Sequence, residues 1–115
     1  MQVKTSRGVS WQFGKISLYC DIKFDGKRQV VGERKTCPVQ RLIMVFVMLA
    51  DYGNDRFYIL PWEVLRDVLV DHHAVYLARN NGIRPRRWDS LHCAISAMDL
   101  EPYLDNWDAV EKNLR

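Results

Sequence analysis

The stretch from Leu42 to Ala50 constrains the fold more than any other part of this sequence, because all nine of its residues are apolar. A helix that crosses a membrane needs about 20 such residues in a row, so we expect no membrane contact. The stretch also lacks the polar alternation of a half-exposed strand, and a strand of this kind is covered on both faces. We therefore predict that Leu42 to Leu49 is the central strand of a sheet.

The residues on either side of the central strand are typical of hairpins. Ile16 to Phe24 alternates apolar and polar side chains with the period of a half-buried strand. Asp25-Gly26 favours a type I′ turn, Gln29 to Arg34 forms the returning strand, and Cys37-Pro38 ends it. After the central strand, Arg56 to Leu60 is predicted to pair with it as a second hairpin.

Residues 61 to 80 are predicted to form one long amphipathic helix. Pro61 favours the first helical position, and Arg79-Asn80-Asn81-Gly82 is typical of a helix end with left-handed residues. We expect one apolar stripe, spaced by three and four residues, to face the core. It consists of Trp62, Leu65, Val68, Leu69, His72 and Tyr76.

The segment from residue 89 to residue 100 fits two structures. Asp89 fits the cap of a helix that runs to Met98, but alternation along the segment also fits a short strand. The alternating residues are Leu91, Cys93 and Ile95. Further on, Asp105 or Asn106 is predicted to cap a last short helix through Leu114.

These elements predict an α+β protein with a single domain over residues 1 to 115, since a chain of this length buries one core. We expect a mixed, mainly antiparallel sheet of four or five strands, packed on the Pro61 to Asn80 helix, with a smaller helical part at the C-terminal end. The three cysteines show no pairing pattern, so we expect reduced thiols. The start of the chain lacks the pattern of a signal peptide, which predicts a cytoplasmic protein.

Basic residues are concentrated in the first part of the chain. Residues 1 to 41 contain nine Lys and Arg against three Asp and Glu, whereas residues 42 to 115 contain eight against eleven. A basic region favours a polyanion partner, because neutralising phosphates releases counterions. Arg7, Lys27 and Arg28 are candidates for such contacts with DNA or RNA. The alternative is that these charges form a solvated strand face.

The densest basic cluster lies in the loop from Ile83 to Trp88, which we call the arginine loop. Arginine can hold a phosphate with two hydrogen bonds, and tryptophan can stack on an unpaired base. Arg84, Arg86, Arg87 and Trp88 are therefore predicted to bind nucleic acid. The alternative is that these arginines pair with acidic residues of the second part of the chain.

The segment from Gln2 to Arg7 resembles a strand of the PD-(D/E)xK nucleases, in which Glu or Gln is followed by Lys two positions later. In that family an acidic pair holds a divalent metal and the lysine stabilises charge on the phosphate. The resemblance extends over most of the chain, and implies the later part of a restriction-endonuclease-like domain. It makes Gln2 and Lys4 candidate catalytic residues on one face of a strand.

The chain also departs from this family. Only Met1 precedes the motif, so we expect an N-terminally truncated domain that lacks the metal-binding Asp of the family. Gln2 is neutral, whereas Mg²⁺ prefers carboxylates. The resemblance therefore implies no hydrolysis, unless another segment or a second subunit supplies carboxylates.

A second register of the same motif lies at Glu33-Arg34-Lys35, with Asp21 twelve residues earlier on the preceding strand. This register supplies two carboxylates, Asp21 and Glu33, for Mg²⁺ or Mn²⁺, and a lysine, Lys35, for the phosphate. The alternative is a plain solvated hairpin.

Three functions remain open from the sequence. They are a nuclease-like nucleic-acid-binding module without catalysis, an active metal-dependent nuclease, and an oligomeric protein-interaction module. We also expect a homo-oligomer, with a dimer favoured, because an uncovered sheet edge tends to pair with a second chain. Small truncated domains of this kind are similar to products of mobile gene cassettes, such as those of integrons.

Overall fold

The computed structural model describes residues 1–113, with the main chain alone at Phe13 and Asn113. The predicted end of the last helix at Leu114 lies outside the described residues. The strands are β1 (Gln2–Ser6), β2 (Ser10–Lys15), β3 (Cys20–Asp25), β4 (Arg28–Arg34), β5 (Ile43–Met48), β6 (Arg56–Pro61) and β7 (His92–Ser96). The helices are α1 (Trp62–Arg79), α2 (Ala97–Leu100) and α3 (Asp108–Asn113), and 3₁₀ turns cover Ile16–Leu18 and Glu101–Tyr103.

The prediction of an α+β protein with one long helix is confirmed. The strands are divided among three sheets, with the orders β1-β5-β6, β2-β7 and β3-β4, where the sequence predicts one sheet of four or five strands. The contacts of the chain cluster into two compact units. Unit 1 contains Met1–Gln12, Cys37–Leu65 and the chain from Ala94 onward, and unit 2 contains Phe13–Thr36 and Arg66–Cys93. The β3-β4 hairpin thus belongs to a different unit from the central strand.

Strand β5 lies at the centre of unit 1, as its apolar sequence predicts. It pairs in parallel with β1 and antiparallel with β6, so that Val45 lies between Val3 and Ile59. The predicted hairpin of β5 and β6 is confirmed. On one face of β5, a buried cluster packs against Ala109 and Val110 of α3. It consists of Ile43, Val45, Val47 and Ile59.

An aromatic group packs around Phe46 of β5. The ring of Trp11 lies edge-on to Phe46 and to Tyr58, with centroid distances of 5.4 and 5.9 Å. Its Nε1 donates a hydrogen bond of 3.3 Å to the carbonyl oxygen of Val47. Aromatic pairs of this kind contribute about 1 kcal/mol beyond the area they bury. Trp11 is therefore a core residue of unit 1.

Helix α1 buries the predicted stripe in its first half, at Trp62, Leu65 and Leu69, and differs from the prediction in its second half. His72 is exposed and Tyr76 is only partly buried. The buried residues are Trp62, Leu65, Leu69, Val70, His73 and Leu77. Both sets fit the helical period, and the one that is buried carries the three leucines. The helix also begins one residue later than predicted, because Pro61 pairs with Ile43 at the end of β6.

No helix within residues 1–113 combines the length and the apolar character that crossing a membrane requires.

Strands β3 and β4 form the predicted hairpin in unit 2, joined through Gly26, whose φ is 62°. Strand β3 begins at Cys20 and not at Ile16, because a 3₁₀ turn covers Ile16–Leu18. At the other end of the hairpin, Arg34 forms ion pairs with Asp67 and Asp71 of α1. These two acidic residues are one helical turn apart, so a single guanidinium binds both.

Residues 89–100 contain a strand followed by a short helix. Cys93 and Ile95 are buried in β7, which confirms the alternating pattern. The alternative helix from Asp89 to Met98 is wrong, because a capping box at Ser96 starts α2 at Ala97. Burial raises the pKa of the Cys93 thiol to about 11, so this thiol is protonated at neutral pH.

A first prediction concerns Tyr58, whose hydroxyl is buried and has no hydrogen-bond partner among the described residues. A buried polar group without a partner costs about 1–3 kcal/mol. We expect Tyr58→Phe to raise the free energy of unfolding by about 1 kcal/mol, measured by urea denaturation. Tyr52→Phe is the control, because Tyr52 is fully exposed and its change should have no effect. A loss of stability in Tyr58→Phe would contradict the absence of a partner.

Candidate nucleic-acid interface

The side chain of Gln29 on β4 connects the β3-β4 hairpin to the segment that follows the arginine loop. Gln29 is only 4% exposed. Its Nε2 donates hydrogen bonds of 3.0 Å to the carbonyl oxygen of Trp88 and of 2.8 Å to that of Ser90. Its main-chain N–H donates to the carbonyl oxygen of Gly82 at 2.7 Å. One strand residue thus fixes the chain both before and after the arginines.

The third partner of the Gln29 side chain is His73 of α1. The amide nitrogen of Gln29 donates to two carbonyls, so its Oε1 is the atom left to accept a hydrogen bond. The Nε2 of His73 lies 3.0 Å from this oxygen and must therefore donate. This assigns the proton of the neutral imidazole to Nε2, because that nitrogen is the one with an acceptor.

His73 is uncharged at neutral pH. It is 6% exposed, and burial, followed by the positive charge of Arg84 and the proximity of His72, lowers its pKa to about 4. A neutral pair of imidazole and amide avoids placing a charge in the interior. The interior side of the arginine loop is therefore held by neutral hydrogen bonds.

These bonds bring together basic residues from two parts of the sequence. Lys27 and Arg28 precede Gln29, and Arg86 and Arg87 precede Trp88. All four are exposed. The ring of Trp88 lies edge-on to Phe24 of β3, with the centroids 5.8 Å apart. We call this set the basic-aromatic surface; it consists of Phe24, Lys27, Arg28, Arg86, Arg87 and Trp88.

Arg28 is held close to the end of α1 by the shape of the turn that follows the helix. Asn81 and Gly82 have φ values of 56° and 81°, as the sequence predicts for this helix end. A Cβ at Gly82 would lie 3.1 Å from Nε of Arg28, so a larger residue there would require the arginine side chain to shift. The side chain of Arg28, one cation of the basic-aromatic surface, thus lies against this turn.

Two arginines of the loop have partners within unit 2. Nη1 of Arg84 donates to the carbonyl oxygens of Ser90 and His92, at 3.0 and 2.9 Å, and its guanidinium lies over the ring of Tyr76. Arg84 therefore shapes the loop. Arg87 is 79% exposed and lies 3.9 Å from Asp89, and an ion pair this exposed is weak.

The residues of the first nuclease motif lie in unit 1. Gln2 and Lys4 share one face of β1, and in the register of the sheet they stand beside Met44 and Phe46 of β5. Their neighbours across this pairing are thus apolar and supply no metal ligand. Arg7, the other predicted contact in this segment, is exposed after the end of β1.

The residues of the second register lie on the β3-β4 hairpin. Cys20 pairs with Arg34 and Ile22 with Val31, so Asp21 stands at a bulge opposite Gly32 and Glu33. The ammonium of Lys35 donates a hydrogen bond to the carbonyl oxygen of Ser17. In the described part of the chain, no three His, Cys, Asp or Glu side chains are grouped so as to hold a metal ion.

Gln29 and His73 are the residues that the sequence analysis does not single out. Gln29 lies in a strand of mostly exposed residues, and nothing local marks it as buried. The signal for His73 is its spacing of four residues from Leu69 and from Leu77. That spacing competes with the stripe through His72, and both fit a helix.

The second prediction tests the state of His73. Unfolding restores the ordinary pKa of His73, so the unfolded chain binds a proton at this residue below about pH 6.5. In the folded chain the same residue binds a proton only below about pH 4. The folded state must therefore lose stability as the pH falls through this window, by about 2 kcal/mol from this group at pH 5.

In His73→Gln the amide can donate as Nε2 does but does not titrate, so most of this pH dependence should disappear. Urea denaturation at about pH 7.5 and pH 5 measures the difference. The exposed neighbour provides the control, since His72→Gln removes only the smallest cause of the lowered pKa of His73 and should keep most of the pH dependence of the wild type. An unchanged pH dependence in His73→Gln would show that another group is responsible.

Comparisons of this chain with protein-family models, with curated proteins and with solved structures found no match. The resemblance of residues 2–7 to a nuclease strand therefore stays a prediction from the sequence. The contacts of Gln29, by contrast, are features of the folded chain. They join the hairpin to the segment after the arginine loop, whatever the family.

Proposed function

We propose that this chain is a nuclease-like nucleic-acid-binding module that binds through the basic-aromatic surface and does not catalyse hydrolysis. The observation that carries the proposal is the hydrogen bonding of Gln29 to Trp88 and Ser90. It joins the strand that follows Lys27 and Arg28 to the segment that follows Arg86 and Arg87. In this proposal, the cations of the two joined segments bind a phosphate backbone.

The charges of this surface favour a polyanion. Between residues 24 and 28 and between residues 82 and 89, five basic residues stand against two acidic ones, Asp25 and Asp89. Arg84 is engaged with main-chain carbonyls, which leaves four exposed cations for phosphates. Arginine can bind a phosphate through two parallel hydrogen bonds. Neutralising four phosphates makes affinity fall steeply with salt.

The nuclease-like part of the proposal rests on the order of elements in unit 1. A strand with Gln2 and Lys4 lies parallel to a buried central strand, which forms a hairpin with β6, and the long helix follows directly. This order is similar to what the resemblance implies for the later part of a restriction-endonuclease-like domain. The resemblance implies a single sheet of four or five strands. In this proposal, the three-stranded sheet β1-β5-β6 is the part of that sheet that this chain contains.

A second candidate function is an active metal-dependent nuclease, favoured by the bulge at Asp21. The bulge sets Asp21 against Gly32 and Glu33, so two carboxylates occupy adjacent ladder positions. Mg²⁺ is commonly held by one or two carboxylates together with waters and substrate phosphates, and these residue types fit Mg²⁺ or Mn²⁺. Bound there, the metal would supply an activated water. Lys35, which donates to Ser17, would have to release this bond to reach a phosphate.

The third prediction tests binding at the basic-aromatic surface. Wild-type protein should retain labelled DNA at low salt, and raising the salt from about 50 to 200 mM should lower the affinity on the order of a hundredfold for four phosphate contacts. In the double variant Arg86→Ala/Arg87→Ala the slope of log affinity against log salt should fall by about 2, because two phosphate contacts are lost. Filter retention or fluorescence anisotropy measures both quantities.

The matched control for this test is Arg56→Ala. Arg56 is an exposed arginine at the start of β6 in unit 1, and its removal should leave affinity and salt slope unchanged. Equal losses in Arg56→Ala and in the double variant would mean that net charge alone drives binding. If the wild-type protein retains no DNA at any salt concentration, the proposal is wrong.

The same protein preparations distinguish the second candidate. Cleavage of the DNA in Mn²⁺ that is lost in Glu33→Gln and in Asp21→Asn would establish the metal-dependent nuclease. Cleavage lost in Lys4→Ala but kept in Glu33→Gln would instead assign the activity to the β1 register. Retention without cleavage supports the inactive binding module.

A further inference from the structure

We infer that the basic-aromatic surface binds single-stranded nucleic acid, with an unpaired base stacked on the exposed rings of Trp88 and Phe24. The inference rests on the proposed function and names its substrate class. Phosphates alone do not select single strands, since duplex DNA carries them too. The selection comes from the aromatic pair.

Both rings are open to solvent although they touch each other. Trp88 is 40% exposed and Phe24 is 43% exposed. Their planes meet at 86°, so one ring contributes its edge to the contact and keeps both of its faces out of it. Large aromatic surface left in water is unfavourable, and a nucleobase can cover it by stacking. In a duplex the bases are already stacked on one another and present only their edges.

The tryptophan is held in place before any ligand arrives. Its carbonyl oxygen accepts the hydrogen bond from Gln29, which in turn is held by His73. A stacking residue whose backbone is fixed loses less entropy on binding than one on a mobile loop. The platform is therefore preorganised by the buried residues of unit 2.

The basic residues around the two rings favour a nucleic-acid strand that crosses them. Lys27 and Arg28 follow Phe24 on the hairpin, and Arg86 and Arg87 directly precede Trp88. Proteins that bind single strands combine such a cationic track with aromatic rings on which bases stack. Cations on both segments that supply the rings fit a backbone that passes across the aromatic pair.

Unit 1 contains a second exposed aromatic pair, with more acidic surroundings. Trp107 is 49% exposed and lies 5.6 Å from Phe57 between ring centroids. It is flanked in sequence by Asp105 and Asp108, which repel phosphates. The same aromatic chemistry is therefore present there with two acidic neighbours and a single arginine, Arg56, and Trp107→Ala is the control for loss of an exposed tryptophan.

The test compares three labelled probes at one moderate salt concentration. They are a single-stranded oligonucleotide of about 12 nucleotides, the duplex of the same sequence, and a single strand of the same length with abasic sites. The wild type should bind the single strand on the order of tenfold more tightly than the abasic strand, because the abasic strand has the phosphates and no base to stack. It should also prefer the single strand to the duplex.

Trp88→Ala should lose on the order of tenfold in affinity for the single strand and little for the abasic strand, with an unchanged salt slope. Trp88→Phe should restore most of the affinity because it keeps an aromatic face, and Trp107→Ala should bind as the wild type does. Thermal unfolding of each variant shows whether a loss of affinity comes from a loss of fold. If Trp88→Ala does not fold, the comparison of base-containing and abasic strands in the wild type takes its place.

The outcomes separate this inference from the proposed function. Equal affinity for the three probes in the wild type, with salt dependence intact, would overturn stacking and leave a phosphate-binding module. Stacking is overturned in the same way if folded Trp88→Ala binds the single strand as tightly as the wild type. Binding of none of the probes would overturn the proposed function itself.

Discussion

The side chain of Gln29 is buried between a strand, a helix and the chain after the arginine loop. A buried amide must find partners for two N–H groups and an oxygen, since each one left unpaired costs about 1–3 kcal/mol. In this structure every one of them is paired, with Trp88, Ser90 and His73. The position of the loop therefore follows from the position of β4. The cations and rings that the loop presents to solvent depend on this arrangement.

The basic residues of unit 2 are divided between structure and surface. Arg34 is bound to two acidic residues of α1, Arg66 donates to the carbonyl oxygen of Lys35, and Arg84 donates to two loop carbonyls. Burial would raise the pKa of Asp67, but its bonds to Arg66 and Arg34 lower it, which keeps this carboxylate charged. Net charge read from the sequence therefore overstates the number of cations that a ligand can meet. Arg86 and Arg87 contribute most directly to that number.

The sequence predicts individual elements better than their assembly. The apolar run of β5, the two hairpins and the long helix are visible because each has a local signal: composition, alternation, a turn pair or a helix end. The division of strands among three sheets has no local signal, because it depends on which distant segments pack together. The second half of the α1 stripe was misassigned by one position, since His72 and His73 fit the helical period equally well until a partner for one is known.

Only part of the candidate surface could be predicted from the sequence, because its assembly also depends on which distant segments pack together. The basic residues and Trp88 could be selected by type, and the structure joins the hairpin to the loop through the contacts of Gln29 and Phe24 with Trp88. Gln29 could not be selected, because a glutamine in an exposed-looking strand shows no sign of burial. The residue that assembles the surface thus carries none of the chemistry expected of a binding residue.

Both units are built from stretches of chain that are far apart in sequence. Unit 2 lacks its second stretch until residues 66–93 have been made, and unit 1 lacks its last stretch until the chain beyond Ala94 follows. During synthesis on the ribosome, neither unit can therefore finish folding early, as the N-terminal domain of a sequential multidomain protein does. The apolar strand β5 is made well before either unit is complete. Ala109 and Val110 of α3, which pack on the buried cluster of β5, are synthesised long after that strand, so β5 is completed before these covering residues exist.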